Sequence, residues 1–224
     1  GDAAPGVRLA IFQRRGGVSR TPYHSLNLGG GAGDDPRAVR ENRRRAVAAG
    51  GFGPWPPVLA AQVHGVRIAT ADRRHAGRGW VTGRPPLPAA DGIFTRTPGL
   101  PVGVTVADCL PVLMSGPQGE AVAAVHAGWR SLAGGILGNA VQRFRTRGSV
   151  EAGDIRVFLG PCIGPERFEI RGEVLSRLRR FSSRAVAENG KGTALFDLQQ
   201  AASFELQRLG VRYKHIKTVR ECTY

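Results

Sequence analysis

The stretch AVAAVHAGWRSLAGG, residues 121–135, decides how the chain folds. From Ala121 to Val125 it carries only small and β-branched apolar residues, the composition of a strand buried on both faces. His126 stands at the end of that run and Gly128 breaks it. A helical periodicity then begins in SLAGGILGNAVQRF, where Leu132, Ile136, Ala140 and Phe144 recur every four residues on one face. A buried strand thus feeds an amphipathic helix and delivers a histidine at the junction.

Outward from this unit, strands outnumber helices and do not alternate strictly with them. VRLAIFQ (7–13) alternates like a strand, and VLAAQVHGVRIAT (58–70) reads as two short strands broken at His64-Gly65. DGIF opens another strand. VGVTVADCLPVLM (102–114) is a buried strand interrupted at Asp108-Cys109, and IRVFLG and VRYKHIKTV follow later. Asp35 caps a helix with Pro36 in its first position and Gly50 at its end. Two more helices fall near 172–181 and 197–209, while the Pro/Gly-rich segment 71–90 reads as a disordered loop. GGGAGDD (29–35) lacks the Lys and Ser/Thr of a P-loop and carries two aspartates where a phosphate wants positive charge, so it reads as a loop into the capped helix. The expected architecture is a mixed α+β fold rather than a doubly wound sheet.

With 224 residues, 42% hydrophobic and 22% charged, the chain has the balance of a soluble globular domain. It shows neither an apolar run of membrane-spanning length nor a secretory leader in GDAAPGVRLAIF, so the expectation is a cytoplasmic protein with no membrane partner. Three cysteines, Cys109, Cys162 and Cys222, are an odd, dispersed set, which argues against a disulfide scaffold. The net charge of +15 comes almost wholly from arginine. Nucleic acid is one partner class for such a charge, but no zinc-knuckle, helix-turn-helix or aromatic RNA-binding pattern accompanies it. Clusters such as Arg43–Arg45 and Arg177–Arg180 read as solvated faces.

Three strands share one oddity: each ends or breaks at a metal-competent residue, QVHG at His64, VADCLP at Cys109 and AVHAGW at His126. Taken singly, each residue also has an ordinary structural reading. Taken together, His/His/Cys is a complete protein shell for a catalytic zinc with its fourth position open. The long spacings exclude a local zinc knuckle and suit ligands converging from separate strands.

The blocks SLNLGGGAGDDPRAVRENRRR, QVHG, DGIFTRTPGLPVGVTVADCLPVL, AAVHAGWR, LGPCIGPERFEI and CTY, in this order over nearly the whole chain, resemble the bacterial YfiH-like family. That family is also called the polyphenol oxidase or laccase-domain family and includes the peptidoglycan editing factor. The resemblance implies one domain over residues 1–224, with a mixed β-sandwich-like core flanked by helices, related to a toxin domain that works as a cysteine hydrolase. It places metal ligands on His64, Cys109 and His126 and implies phosphorolysis of adenosine, inosine and methylthioadenosine, with deamination of adenosine. The implied partners are purine nucleosides and inorganic phosphate, and the expected state is a monomer or weak homo-oligomer. Two departures from the family pattern stand out: Ser131 follows HAGWR where the family usually has glycine, and the family usually continues past CTY with an aromatic, arginine-rich tail, whereas this sequence stops at Tyr224.

The deamination needs a carboxylate to move protons, as in zinc nucleobase deaminases. Asp108 is the first candidate, provided the backbone breaks at 108–109, because successive strand side chains point to opposite faces; a local turn role is its alternative. For phosphate, Arg43 in ENRRR follows from the family match, and Arg130 beside Trp129 is a second candidate. Asn27 and His24 are candidates for base or ribose contacts. Copper is the substitute metal, since Cu²⁺ outcompetes Zn²⁺ at most such donor sets. A multi-copper oxidase needs many histidines, and this chain has five. A single blue-copper site would need Met114 as axial ligand, although LPVLM reads as core. The remaining alternatives are a metal-free hydrolase built on Cys109 and His126, acting in peptidoglycan precursor editing, and a basic nucleic-acid-binding module.

Overall fold

The computed structural model describes residues 4–190 and 192–224. Helix α1 (Pro36–Gly50) forms as its signals require: the Asp35 side chain accepts from the Arg37 N–H, Pro36 sits in the first turn, and Gly51 closes the end at φ +56°. Strands β1 (Ile68–Ala71), β2 (Gly92–Thr95), β3 (Leu110–Ser115) and β4 (Val122–Ala127) come next. The helical run after β4 is divided by Gly134-Gly135, with Gly135 at φ +93°, into α2 (Trp129–Ala133) and α3 (Ile136–Arg143). Then follow β5 (Arg156–Leu159), β6 (Glu169–Arg171), α4 (Gly172–Phe181), β7 (Val186–Glu188), β8 (Thr193–Phe196), α5 (Leu198–Arg208) and β9 (Ile216–Thr218).

The architecture is a mixed α+β fold. A six-stranded sheet has the order β1-β2-β4-β3-β5-β9, and β6-β8-β7 form a small antiparallel sheet. In the large sheet β1 runs parallel to β2 and β5 parallel to β9; the inner pairs β2/β4, β4/β3 and β3/β5 are antiparallel. One face carries the main core. Phe94 of β2, Leu110, Val112 and Met114 of β3, and Val157 and Leu159 of β5 pack with Ile136, Leu137 and Ala140 of α3, Ala201 and Leu206 of α5, and Ala194 and Phe196 of the small sheet. Phe94 meets Phe144 edge to face at 5.2 Å between centroids. Alternation sends Ile93 to the other face, into a second cluster with Val58, Leu87, Ala90 and Leu100.

Four sequence expectations change. The first of the two strands read in 58–70 reduces to isolated bridges at Val58 and Ala60, because residues 58–63 find no continuous ladder partner among the described residues, and only Ile68–Ala71 is a strand. Segment 7–13 is not a strand: it runs along a cleft of about 1570 Å³, lined on its far side by Leu113 of β3 and Phe158 of β5. Alternation makes a strand only where a ladder partner exists, and none of the described residues provides one there. Residues 102–109 lack strand structure apart from a bridge between Val102 and Val58, so the buried strand begins at Leu110. Segment 71–90 is ordered: Asp72 caps a turn of 3₁₀ helix (Arg73–His75), and Ala76, Leu87 and Ala90 are buried. Among the described residues no helix is long and apolar enough to cross a membrane.

Candidate metal centre

Topology brings distant residues together. Strands β2 and β3 both run antiparallel to β4, so their starts lie beside its end. Because β1 is parallel to β2, the loop entering β1 reaches the same end of the sheet. Four positions therefore converge there: His64 before β1, Asp91 before β2, Cys109 before β3, and His126 near the end of β4 opposite Pro111. One donor atom from each of His64, Cys109 and His126 lies within 4.8 Å of the others, the one such cluster among the described residues. His126 is buried, Cys109 half-buried and His64 exposed, so the cluster opens to solvent on one side.

Asp91 organises this group. It is 0% exposed. Its Oδ1 accepts from the His64 N–H at 2.9 Å and lies 2.9 Å from His126 Nδ1. Its Oδ2 accepts from the N–H groups of Val63 (3.1 Å) and Gly65 (2.7 Å). The His126 N–H also donates to the Asp91 carbonyl at 2.7 Å. Burial opposes the charge on Asp91, but the hydrogen bonds from His126 and the Gly65, Val63 and His64 N–H groups outweigh it and hold its pKa below the ordinary range. An ionised Asp91 accepts a hydrogen bond from Nδ1–H, which keeps the proton on Nδ1 and leaves the Nε2 lone pair of His126 free to ligate, the arrangement used to orient metal-binding imidazoles. The same three N–H bonds pin QVHG in a tight turn with His64 at φ +57°, a region a histidine rarely occupies without such support.

Burial pushes the His126 pKa down, against the pull of Asp91, and keeps the imidazole neutral. Burial raises the Cys109 pKa, and the charges of Asp108 and Asp91 add to it. A cation bound here would displace the thiol proton and find two neutral imidazoles beside the thiolate, the donor chemistry of zinc. Gly128 makes the close approach possible: a Cβ there would lie 3.0 Å from both Cys109 Sγ and His64 Nδ1. Gly128→Ala is expected to force these donors apart and lower bound metal well below wild type, with its unfolding midpoint little changed. Metal content by elemental analysis beside a denaturant melt checks this, and full occupancy in the variant would contradict it.

The other sequence candidates are less directly placed. The chain does bend at 107–109, yet the Asp108 carboxylate is exposed and accepts from Thr223 Oγ1 at 3.0 Å. Asn27 is occupied within its own loop, donating to Asp34 and accepting from the Gly29 N–H. Arg43 is half-buried rather than solvated: Nε donates to the Leu28 carbonyl (3.0 Å), Nη1 donates to the Trp80 carbonyl (2.6 Å), and the guanidinium lies over the Trp80 ring. The hub of the ENR block is Asn42, 0% exposed, whose side chain bonds Val18, Ser19, Ser25 and Asn27. Arg130 is exposed and lies over Trp129. Ser131 is fully buried, and its Oγ has no hydrogen-bond partner among the described residues. Cys162 is buried and Cys222 exposed; both are free thiols, and their backbones pair in an isolated parallel β-bridge. Met114 lies in the main core.

Asp91 was not singled out from the sequence. Its signal was a carboxylate at the mouth of the buried strand GIFT, the same strand-end placement that marked the other three. The lining of the cleft of about 1570 Å³ includes none of His64, Cys109 or His126, so the donor cluster lies outside it.

Fold and centre together define an α+β protein with a metal-competent His/Cys/His cluster at one sheet end. The profile of the family described as multi-copper polyphenol oxidoreductase laccase matches residues 8–224, and the chain belongs to that family. It is 40% identical over 223 residues to the purine nucleoside phosphorylase YfiH of Escherichia coli K12, spanning 98% of this chain and 84% of that protein. It is 33% identical over 222 residues to the purine nucleoside phosphorylase YlmD of Geobacillus stearothermophilus, spanning 97% and 81%. The crystal structure of YlmD from that organism superposes with a TM-score of 0.89 at 34% identity, over 94% of this chain and 79% of that one. A Bacillus licheniformis hypothetical protein YfiH gives a TM-score of 0.88 at 27% identity, over 94% and 80%.

Proposed function

We propose that the chain is a zinc-dependent purine nucleoside phosphorylase acting on adenosine, inosine and methylthioadenosine, with adenosine deamination at the same centre. The observation that carries this is the His64–Cys109–His126 cluster backed by the buried Asp91, supported by relatives named as purine nucleoside phosphorylases. His64, Cys109 and His126 would hold the zinc, which when bound supplies a Lewis acid at the solvent-facing side of the cluster. In phosphorolysis a phosphate oxygen bonds to C1′ of the nucleoside as the C1′–N9 bond breaks, and the base leaves with the electron pair and takes a proton at a ring nitrogen. The protein's tasks are to hold the phosphate against its own charge and to exclude competing water. Asp91 fixes the tautomer of His126. Asp108, exposed and adjacent to Cys109, would move protons during deamination; Asn27 and Arg43, expected to bind substrate, have polar atoms engaged by Asp34, Gly29, Leu28 and Trp80 and would act by ordering the loops around them.

Copper is the second reading for the metal, favoured by the same donor set. Oxidation of phenols by several coppers is disfavoured by the count of five histidines, of which His75 bonds Asp72. The test is metal content of protein purified without added metal, read beside base release from nucleosides with and without phosphate. The expected result is about one zinc per chain and phosphate-dependent release that stops on chelation and returns with zinc. Turnover that survives chelation and dies on thiol alkylation would replace this reading with the cysteine hydrolase.

A further inference from the structure

Two arginines share one aromatic ring next to the metal-competent cluster. The Arg130 guanidinium lies 4.2 Å from the Trp129 ring centroid, and Arg177, from α4, lies 5.9 Å from the same centroid. Among the described residues neither guanidinium has a hydrogen bond or an ion pair, and Glu173, one turn earlier on α4, does not reach Arg177. Arg73, Arg167 and Arg184 also lie over aromatic rings, but each has a ring to itself; only Trp129 carries two guanidiniums among the described residues. Arg44 and Arg45 are neutralised by Glu41, Arg179 by Glu188, and Arg208 by Glu205. Stacking on an indole orients a guanidinium without occupying its N–H donors. Two guanidiniums held on one ring repel each other, and a dianion relieves that repulsion while accepting their donors. The ring also has a fixed address. Trp129 follows Gly128, where a Cβ would lie 3.0 Å from both Cys109 Sγ and His64 Nδ1, so the residue carrying the ring is next in the chain to one that borders the donor cluster. Arg43, the other phosphate candidate, has Nε and Nη1 engaged by carbonyls.

We infer that Arg130 and Arg177, stacked on Trp129, form the binding site for a phosphate dianion, with Arg177 as a specificity residue that the sequence does not mark. The inference deepens the phosphorylase reading and rests on it. In that reaction the bound dianion supplies the oxygen that bonds to C1′ as the base departs, and the product leaves as the sugar 1-phosphate.

The experiment uses the full chain loaded with zinc and inorganic phosphate as the probe. Phosphate binding is titrated calorimetrically, and initial rates are measured as phosphate and inosine are varied separately. Arg177→Gln is expected to weaken phosphate binding and raise the KM for phosphate about tenfold, the size of one lost charge-assisted contact. The KM for inosine and the zinc content should not change. Arg130→Gln should act in the same direction, and the double variant more strongly. Arg45→Gln, a surface charge change elsewhere, is the control and should leave both constants as in wild type. A wild type that phosphorolyses inosine while Arg177→Gln keeps its phosphate KM would overturn the inference and leave the phosphorylase reading standing. A wild type that binds phosphate through these arginines yet turns over no nucleoside would support the site and sink that reading. No phosphate binding by wild type at millimolar concentration would overturn the site itself.

Discussion

Cys109→Ala protein purified without added metal is expected to carry no stoichiometric zinc and to release no base from nucleosides, while unfolding close to the wild-type midpoint. The thiol supplies the one anionic donor of the cluster, and two neutral imidazoles alone bind zinc far more weakly. Its loss should not cost the fold much. Cys109 is half-buried in the bend before β3, and the core begins with Leu110. Elemental analysis, a base-release assay and a denaturant melt on the same preparation give the three readings. Zinc retained at one per chain would show that the thiolate is no ligand. Loss of zinc together with collapse of the melt would assign Cys109 a structural part that its exposure does not suggest, and Cys109→Ser, which keeps the volume, would then separate the two effects.

Asp91→Asn is expected to be the most damaging change outside the donors themselves. Each carboxylate oxygen serves two partners: Oδ1 the His64 N–H and the His126 ring, Oδ2 the Val63 and Gly65 N–H groups. An amide offers one oxygen. If its nitrogen takes the Oδ2 place, two partly buried N–H groups lose their acceptor. If it takes the Oδ1 place, the His64 N–H is orphaned and His126 must accept at Nδ1, which moves the ring proton to Nε2 and removes that atom as a donor to metal. A fully buried orphaned donor costs about 1–3 kcal/mol, and these lie on a half-exposed turn, so a destabilisation of about 1–2 kcal/mol is expected. Zinc affinity should fall by about 10–100-fold, as for other carboxylates that support metal-binding histidines. Chemical denaturation of the zinc-free protein and zinc competition against a chelator separate the two effects. A variant matching wild type in both would show that Asp91 is a bystander.

The donor cluster is legible because three apolar stretches of the sequence each end or break at a side chain that a core has no use for. The ends of strands meet at one end of a sheet whenever neighbours are antiparallel, so local reading carried long-range information. Asp91 escaped because a DG pair before a strand is also ordinary turn chemistry, and only the register of β2 against β4 shows it facing His126. VRLAIFQ carried a clear alternation and failed as a strand, since pairing belongs to the partner as much as to the segment. Segment 71–90 differs for the opposite reason: its Pro/Gly content masks Leu87 and Ala90, which the second core cluster holds in place. Arg177 had no sequence signal at all, because its meaning depends on α4 lying against α2.

The convergence of four strand ends has a kinetic consequence. None of the donors is near another along the chain, so no fragment short of the completed β1-β2-β4-β3 arrangement can hold the ion with its full set. The unfolded chain offers a metal only scattered, weak ligands. A metal that binds the finished sheet alone acts as a latch, adding stability in proportion to the logarithm of its free concentration. It also arrives late, after the slow non-local pairings are made. Refolding rates should then be insensitive to zinc while unfolding rates fall as zinc rises.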